Sequence, residues 1–341
     1  MSVENYCKLR QVIDHHHNFV IIPHVNPDGD AMGSVLALMR VLKNSGKEAA
    51  VVSPNSCPEF LSWLPDVDGV LVFDQDPAAC LARLSEAQVL FFLDFNTPSR
   101  LKALSEWVAK STAIRVMIDH HPNPEESVDI LFSDTSASST CELLYHVLQG
   151  AGMADFLDRE AAESLYTGII TDTGALSYNS SQPQTYYVVA DLLKYGIDKA
   201  KVHQHIFNSH SFSRMQLLGY ALSAKMKHLE AQEAAYITLS KEELSRYQSK
   251  NGDTEGFVNY PLSIDGIAIS ALILEKDDLI KFSFRSRGEF PVNEFSAAYF
   301  NGGGHKNAAG GEFNGTMEEA IAAFERCLAL FYQAWINTNL A

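Results

Sequence analysis

The sequence predicts an α/β fold: a mostly parallel sheet covered by helices, then a helical linker, then a smaller α/β domain. Three observations carry this. Apolar strand-like runs alternate with helix-like segments over the first half of the 341 residues, the pattern of a parallel sheet. Residues 191–225 are helical in pattern and fairly polar, which suits a connector. Strand-like runs then resume and close on a helical segment. The expected boundaries are 1–190, 191–225 and 226–341, with the active site in the cleft between the first and last of these.

Residues 18–23 are a short apolar run with β-branched members. In 33–44 the apolar positions Val35, Leu38, Met39 and Leu42 keep helical spacing, and the pattern stops at Ser45-Gly46. Residues 48–52 and 69–73 read as strands, as do 89–93, which ends at Asp94, and 114–118, which ends at Asp119. Ser139-Thr140-Cys141-Glu142 opens a helix with a capping-box pattern. A further helix over 159–170 delivers Asp172 at its end. In the second half 234–239, 267–274 and 279–284 read as strands, and 317–335 as the last helix.

Composition sets the class. Apolar residues make up 46% of the chain, enough for sizeable cores. No apolar run approaches the roughly 20 residues that span a bilayer, so no membrane partner is expected. The first ten residues are polar and carry no secretory signal pattern. Five scattered cysteines without close pairing suit reduced thiols and a cytoplasmic setting. A net charge of −16 argues against a protein that tracks long duplex nucleic acid by neutralising its backbone. A short anionic substrate held in one pocket remains open.

The informative feature is where the strands end. HVNPDGD (24–30) places His24, Asp28 and Asp30 after the first strand; Asp94 ends another; Asp119-His120-His121 ends a third. The carboxyl ends of strands form the ligand crevice of open α/β sheets, so these groups are expected to converge. Histidine and aspartate without thiolate suit divalent first-row metals. His24, Asp28, Asp30, Asp94, His120 and Asp172 are enough for two ions with one bridging carboxylate, the arrangement that clamps an in-line displacement at phosphorus. Two divalent cations also cancel the charge of the ligand aspartates, which would otherwise repel or protonate.

HVNPDGD, Asp94 in FFLDFN, Asp119-His120-His121 and Asp172 in GIITDTGAL resemble the motifs of the DHH phosphoesterase superfamily, and FNGGGHKNAAGG (300–311) resembles the glycine-rich signature of its DHH-associated domain. The likeness covers nearly the whole chain, and within the superfamily the chain looks like the compact bacterial nanoRNase group. The resemblance implies a DHH catalytic domain over 1–190 and a DHH-associated substrate-binding domain over 226–341. It implies two divalent ions, Mn2+ foremost, with Mg2+ or Co2+ as substitutes. His24, Asp28 and Asp94 would bind the first ion, and Asp30, Asp94, His120 and Asp172 the second. His121 would face the scissile phosphate, and Asp119 would orient a ligand histidine from behind.

It further implies cleavage of short 5′-phosphorylated RNA to mononucleotides and removal of the 3′-phosphate from 3′-phosphoadenosine-5′-phosphate. A phosphodiesterase for linear or cyclic di-AMP is the catalytic alternative, and a non-catalytic nucleotide sensor the alternative from another class. A homodimer is left open.

The second half suits phosphate. Successive glycines at Gly302, Gly303 and Gly304 allow a nest of backbone N–H groups, and His305 adds a donor. Arg285 and Arg287 alternate on one strand, so both are expected on one face, able to grip phosphate oxygens. Other features read plainly: His15-His16-His17 as a solvated helix end, His203, His205 and His210 as surface, Cys141 as a buried small residue, and 133–140 as capping rather than an anion site.

Overall fold

The computed structural model describes residues 2–125, 128–250, 252–277 and 279–339. They form two compact units, Met1–Ser209 and His210–Ala341.

In the first unit the elements run α1 (Val3–His15), β1 (Asn18–Ile22), α2 (Gly29–Asn44), β2 (Glu48–Ser53), β3 (Leu71–Val72), α3 (Pro77–Glu86), β4 (Val89–Leu93), α4 (Ser105–Lys110), β5 (Ile114–Asp119), β6 (Ile130–Ser133), α5 (Thr140–Gly150), α6 (Arg159–Asp172), α7 (Pro183–Leu193) and α8 (Lys199–Phe207). The six strands pair in the order β3-β2-β1-β4-β5-β6, parallel at every step. Both faces of this sheet are covered. Phe19, Ile21, Phe91, Leu93, Val116 and Ile118 point into a core shared with α2, α5 and α6. Val20, Ile22, Leu90, Phe92 and Met117 enter the opposite core against α3 and α4. Double coverage explains why these strands read as unbroken apolar runs. Each such side chain contributes about 1.5–3 kcal/mol on burial.

Two elements differ from the sequence expectation. The helix expected at 33–44 begins four residues earlier because the Asp28 carboxylate caps it, accepting from the N–H groups of Asp30 and Ala31 at 3.1 Å each. The strand expected over 69–73 shrinks to Leu71–Val72 because the preceding residues close a 3-10 turn after Asp66, whose φ is +63°. The histidine tract behaves as expected: α1 ends at His15.

The strand order reverses on either side of β1, so β1 and β4 flank the crevice where ligands bind in such sheets. The register aligns Ile22 with Phe92 and Leu93 with Ile118. The residues that follow β1, β4 and β5 therefore emerge at one level.

The second unit contains α9 (Phe212–Tyr220), β7 (Met226–Leu229), β8 (Ala234–Leu239), α10 (Lys241–Arg246), β9 (Ile269–Glu275), β10 (Ile280–Ser286), α11 (Val292–Tyr299), β11 (Gly303–His305), β12 (Ala308–Phe313) and α12 (Met317–Asn339). Its sheet order is β11-β12-β10-β9-β8-β7. β8 and β9 are parallel; the other pairs are antiparallel. Phe282, Phe284, Phe295, Phe300 and Phe324 fill the core between this sheet, α11 and α12. Leu217, Leu218 and Phe257 cover the other face with Ile237 and Leu272.

The stretch expected as a connector contributes to both units. Val202 and Ile206 of α8 are buried in the first, and Leu217 and Leu218 of α9 in the second. His203 and His205 are not simply solvated: the Tyr166 hydroxyl and His203 Nε2 are 2.9 Å apart, and His205 stacks on Trp63 at 4.6 Å. Buried Tyr166 has to find a polar partner for its hydroxyl, and His203 supplies it.

Candidate metal centre

The sheet edge collects the ionisable groups by ordinary local means. β1 and β4 stop where their apolar runs stop. Asp94 follows β4 at once and sits in the left-handed region, with φ +66°. That conformation costs a non-glycine residue on the order of 1–2 kcal/mol and concentrates at functional sites. Asp30 lies in the first turn of α2 and Asp172 ends α6.

Glycines on the two helices let them approach closely. A Cβ on Gly29 would lie 2.3 Å from Thr171 Oγ1, and one on Gly33 2.5 Å from the Ser164 carbonyl oxygen. Only glycine permits this approach, and it brings Asp30 beside Asp172.

The donor atoms gather in overlapping groups. His24, Asp28 and Asp94 offer ligand atoms all within 4.8 Å of one another, and so do Asp30, His120 and Asp172. Asp94 stands between them: one oxygen is 3.5 Å from His24 Nε2 and the other 3.6 Å from His120 Nε2. His120 Nε2 is also 3.8 Å from Asp30 and 3.4 Å from Asp172.

Both histidines present Nε2 because Nδ1 is engaged elsewhere. His24 Nδ1 meets the Val25 carbonyl at 2.8 Å and His120 Nδ1 the Ala137 carbonyl at 3.3 Å. A backbone carbonyl at Nδ1 sets the tautomer that leaves Nε2 as the metal-facing nitrogen.

Asp119 is fully buried and serves a different histidine from the one expected. Its carboxylate accepts from His121 Nδ1 at 2.8 Å, not from His120. The reason is positional: Ala137 already occupies the rear of His120, and the backbone turn after β5 folds His121 back over Asp119. Burial raises the Asp119 carboxyl, but the hydrogen bond and charge of His121, with His120 adding to them, outweigh it and hold the group below its usual range.

The electrostatics agree with a cation site. Burial first, then the neighbouring Asp30, Asp28, Asp172 and Asp119, push Asp94 well above the ordinary carboxylate range. Among the described residues no lysine or arginine pairs with Asp30 or Asp94; their ion-pair neighbours are imidazoles. Burial also lowers His24 and His120 below the usual histidine range, which favours the neutral form a metal requires. Donors about 2.0–2.2 Å from one ion lie about 3–3.5 Å from each other. The observed separations are close to that, so the residues fit divalent cations.

A residue the sequence reading passed over stands at the back of the site. The N–H groups of Thr140 and Cys141, at the start of α5, donate to the two oxygens of Asp30 at 2.6 and 2.9 Å. The Thr140 hydroxyl donates to Asp94 Oδ1 at 2.9 Å. Sequence presents this turn as a capping box, and half of that is present: Ser139 accepts from the Glu142 N–H at 3.0 Å. The Glu142 carboxylate instead accepts from Ser138 and Thr185. The helix N-terminus here receives a protein carboxylate, not an external anion. Cys141 is buried beside Asp30, and burial pushes its thiol well up.

In the second unit Arg285 and Arg287 occupy the face of β10 and its extension that alternates with the buried Phe282 and Phe284. The glycines expected to form a nest lie at and just before an edge strand. Gly302 donates its N–H to the Ser296 carbonyl oxygen, and Gly303, Gly304 and His305 form edge strand β11. Glycine is needed for packing: a Cβ on Gly302 would lie 1.9 Å from the Gly310 carbonyl oxygen. Gly304, with φ +143°, would set a Cβ 2.4 Å from the Ala308 oxygen.

Residues 18–169 match the DHH family, N-terminal domain, and residues 234–330 the DHHA1 domain. The bifunctional oligoribonuclease and PAP phosphatase NrnA of Thermus thermophilus is 30% identical over 309 residues, which cover 90% of this chain and 87% of that protein. The chain belongs to the DHH family. The protein of the same description from Bacillus subtilis is 28% identical over 307 residues, 89% of this chain and 91% of that one. The crystal structure of an exopolyphosphatase-related protein from Bacteroides fragilis superposes with a TM-score of 0.93 at 40% identity, covering 98% of each chain. In this DHH chain the tripeptide Asp119-His120-His121 divides its labour: His120 faces the acidic cluster while Asp119 braces His121. No helix among the described residues is long and apolar enough to cross a membrane.

Proposed function

We propose that this protein is a metal-dependent phosphoesterase that hydrolyses very short 5′-phosphorylated oligoribonucleotides to mononucleotides and 3′-phosphoadenosine-5′-phosphate to AMP. The observation that carries the chemistry is Asp94, held with one oxygen toward His24 and the other toward His120. The names of the NrnA relatives support the substrate class.

His24, Asp28 and Asp94 would hold one cation, and Asp30, Asp94, His120 and Asp172 the other, with Mn2+ the expected ion. When bound, such a pair supplies the positive charge that makes water a nucleophile near neutral pH and steadies the phosphoryl oxygens. The chain's residues do the rest. Val25 and Ala137 fix which nitrogen His24 and His120 present. Asp119 holds the His121 ring and offsets positive charge on it, so that Nε2 donates to a phosphoryl oxygen as charge develops there. Water adds at phosphorus, the P–O3′ bond breaks, and O3′ leaves as a hydroxyl. Arg285 and Arg287 are assigned to non-reacting phosphates, which suits substrates of a few nucleotides.

The test is a Mn2+-dependent turnover panel over 3′-phosphoadenosine-5′-phosphate, RNAs of increasing length, cyclic di-AMP and pyrophosphate. Rates highest on the shortest RNAs and the adenosine bisphosphate are expected. Dominant hydrolysis of the cyclic dinucleotide or of pyrophosphate would overturn the substrate assignment.

A further inference from the structure

We propose that Thr140 is the positioning residue that sets the orientation of Asp94, and that its hydroxyl, not its bulk, decides how tightly the centre takes up divalent cations. The proposal rests on the metal reading above.

Asp94 has to serve two sides of the site with one carboxylate, from a backbone conformation that L-residues rarely adopt, φ +66°. Rotation about its side chain would withdraw an oxygen from one side or the other. The Thr140 hydroxyl opposes that rotation: it donates to Oδ1, the oxygen on the His120 side, at 2.9 Å, and leaves Oδ2 at His24. Thr140, Asp94 and Asp30 are each at most 2% exposed, so water does not compete for this bond.

The hydroxyl is itself anchored. Thr140 donates its N–H to Asp30 Oδ2 at 2.6 Å. The turn before it is tied down through Ser138, whose N–H and hydroxyl both donate to buried Glu142 and whose carbonyl accepts from Asn179 at 3.2 Å. One residue thus ties a carboxylate from each ligand group to the rigid N-terminus of α5. The two contacts are separable. Asp30 is held by backbone N–H groups that any residue but proline supplies at this position, whereas Asp94 depends on the side chain.

The experiment measures Mn2+ uptake by metal-free protein through calorimetry, with circular dichroism confirming the fold. Thr140→Val keeps the branched shape and loses the donor; it is expected to weaken cation affinity by about 10–100-fold, as loss of a ligand's hydrogen-bond partner does elsewhere. Thr140→Ser keeps the donor and loses the methyl; wild-type affinity is expected. A packing role predicts the reverse order. Wild-type affinity in a folded Thr140→Val protein overturns the proposal while leaving the metal reading intact. Should Thr140→Val not fold, weakened uptake by Thr140→Ser overturns it just as well. A wild-type protein that takes up no Mn2+ sinks both the metal reading and this role.

Discussion

Replacing Gly168 by alanine tests how the acidic groups are brought together. Inside a helix that substitution normally adds about 1 kcal/mol of stability. Gly168 lies in α6 at its contact with α2 and α5. A Cβ there would sit 2.2 Å from Cys141 Sγ, 2.7 Å from Asp30 Oδ1 and 3.0 Å from Asp30 Cα. Ordinary carbon contacts are about 3.5–4 Å, so the thiol has to move by more than an ångström and the first turn of α2 has to retreat with it. Overpacking of a tight core costs about 1–3 kcal/mol, and these separations belong at or above the upper end of that range. Setting about 3 kcal/mol of strain against about 1 kcal/mol of helix propensity leaves a net loss of about 2 kcal/mol. For a unit of this size that lowers the melting temperature by about 4–8 °C. Because the displaced residue is Asp30, Mn2+ affinity is expected to fall with it.

The control is Gly219→Ala in α9, where nothing lies within 4 Å of the added carbon; there about 0.5–1 kcal/mol of stabilisation is expected. Differential scanning calorimetry of metal-free protein reads stability, and a Mn2+ titration reads the site. A Gly168→Ala protein that melts at or above the wild type and binds Mn2+ normally would refute the close-approach argument.

Other expectations follow from the same site. Asp94→Ala is expected to lower turnover by about 10³-fold or more, by analogy with loss of a transition-state charge stabiliser; unchanged kcat on the adenosine bisphosphate would remove Asp94 from the mechanism. Metal-free protein is expected to lose stability in both pH directions. Asp94 is raised above its unfolded value, so its contribution is present at low pH and lost as pH rises through the raised value. His24 and His120 are lowered, so theirs is present above the ordinary histidine value and lost as pH falls through and below it. Melting curves of Asp94→Asn across pH are expected to lack the loss on the rising side, and a profile identical to wild type would count against the buried repulsion. Arg285→Ala and Arg287→Ala are each expected to raise KM for the adenosine bisphosphate about tenfold with kcat nearly kept, the pattern of lost uniform binding; a fall in kcat at constant KM would place these arginines in the reaction itself.

Much of the centre is legible without coordinates. The apolar runs 89–93 and 114–118 announce strands by length and continuity, and the residues that end them stand where strand carboxyl ends open. Histidine and aspartate without cysteine indicate the class of cation. What the pattern conceals is local competition for hydrogen bonds. Asp28 looks like a turn carboxylate and is also a helix cap. Ser139 and Glu142 look like reciprocal capping partners, but Glu142 turns to Ser138 and Thr185. The glycines at 302–304 look like an anion nest; Gly303 and Gly304 lie in an edge strand, and Gly302 and Gly304 are also demanded by their close approach to Gly310 and Ala308. In each case local spacing permits two arrangements, and a partner distant in sequence selects one.

The sequence by itself therefore determined the type of sheet, through its hydrophobic period, and the family, through its motifs, and it named candidate ligands by residue chemistry. Tertiary structure alone decided that Asp119 braces His121 rather than His120, that Thr140 reaches Asp94, and that glycines on α2 and α6 let Asp30 and Asp172 meet. Those outcomes are set by distances between segments far apart in the chain, to which a periodicity read along one segment is blind.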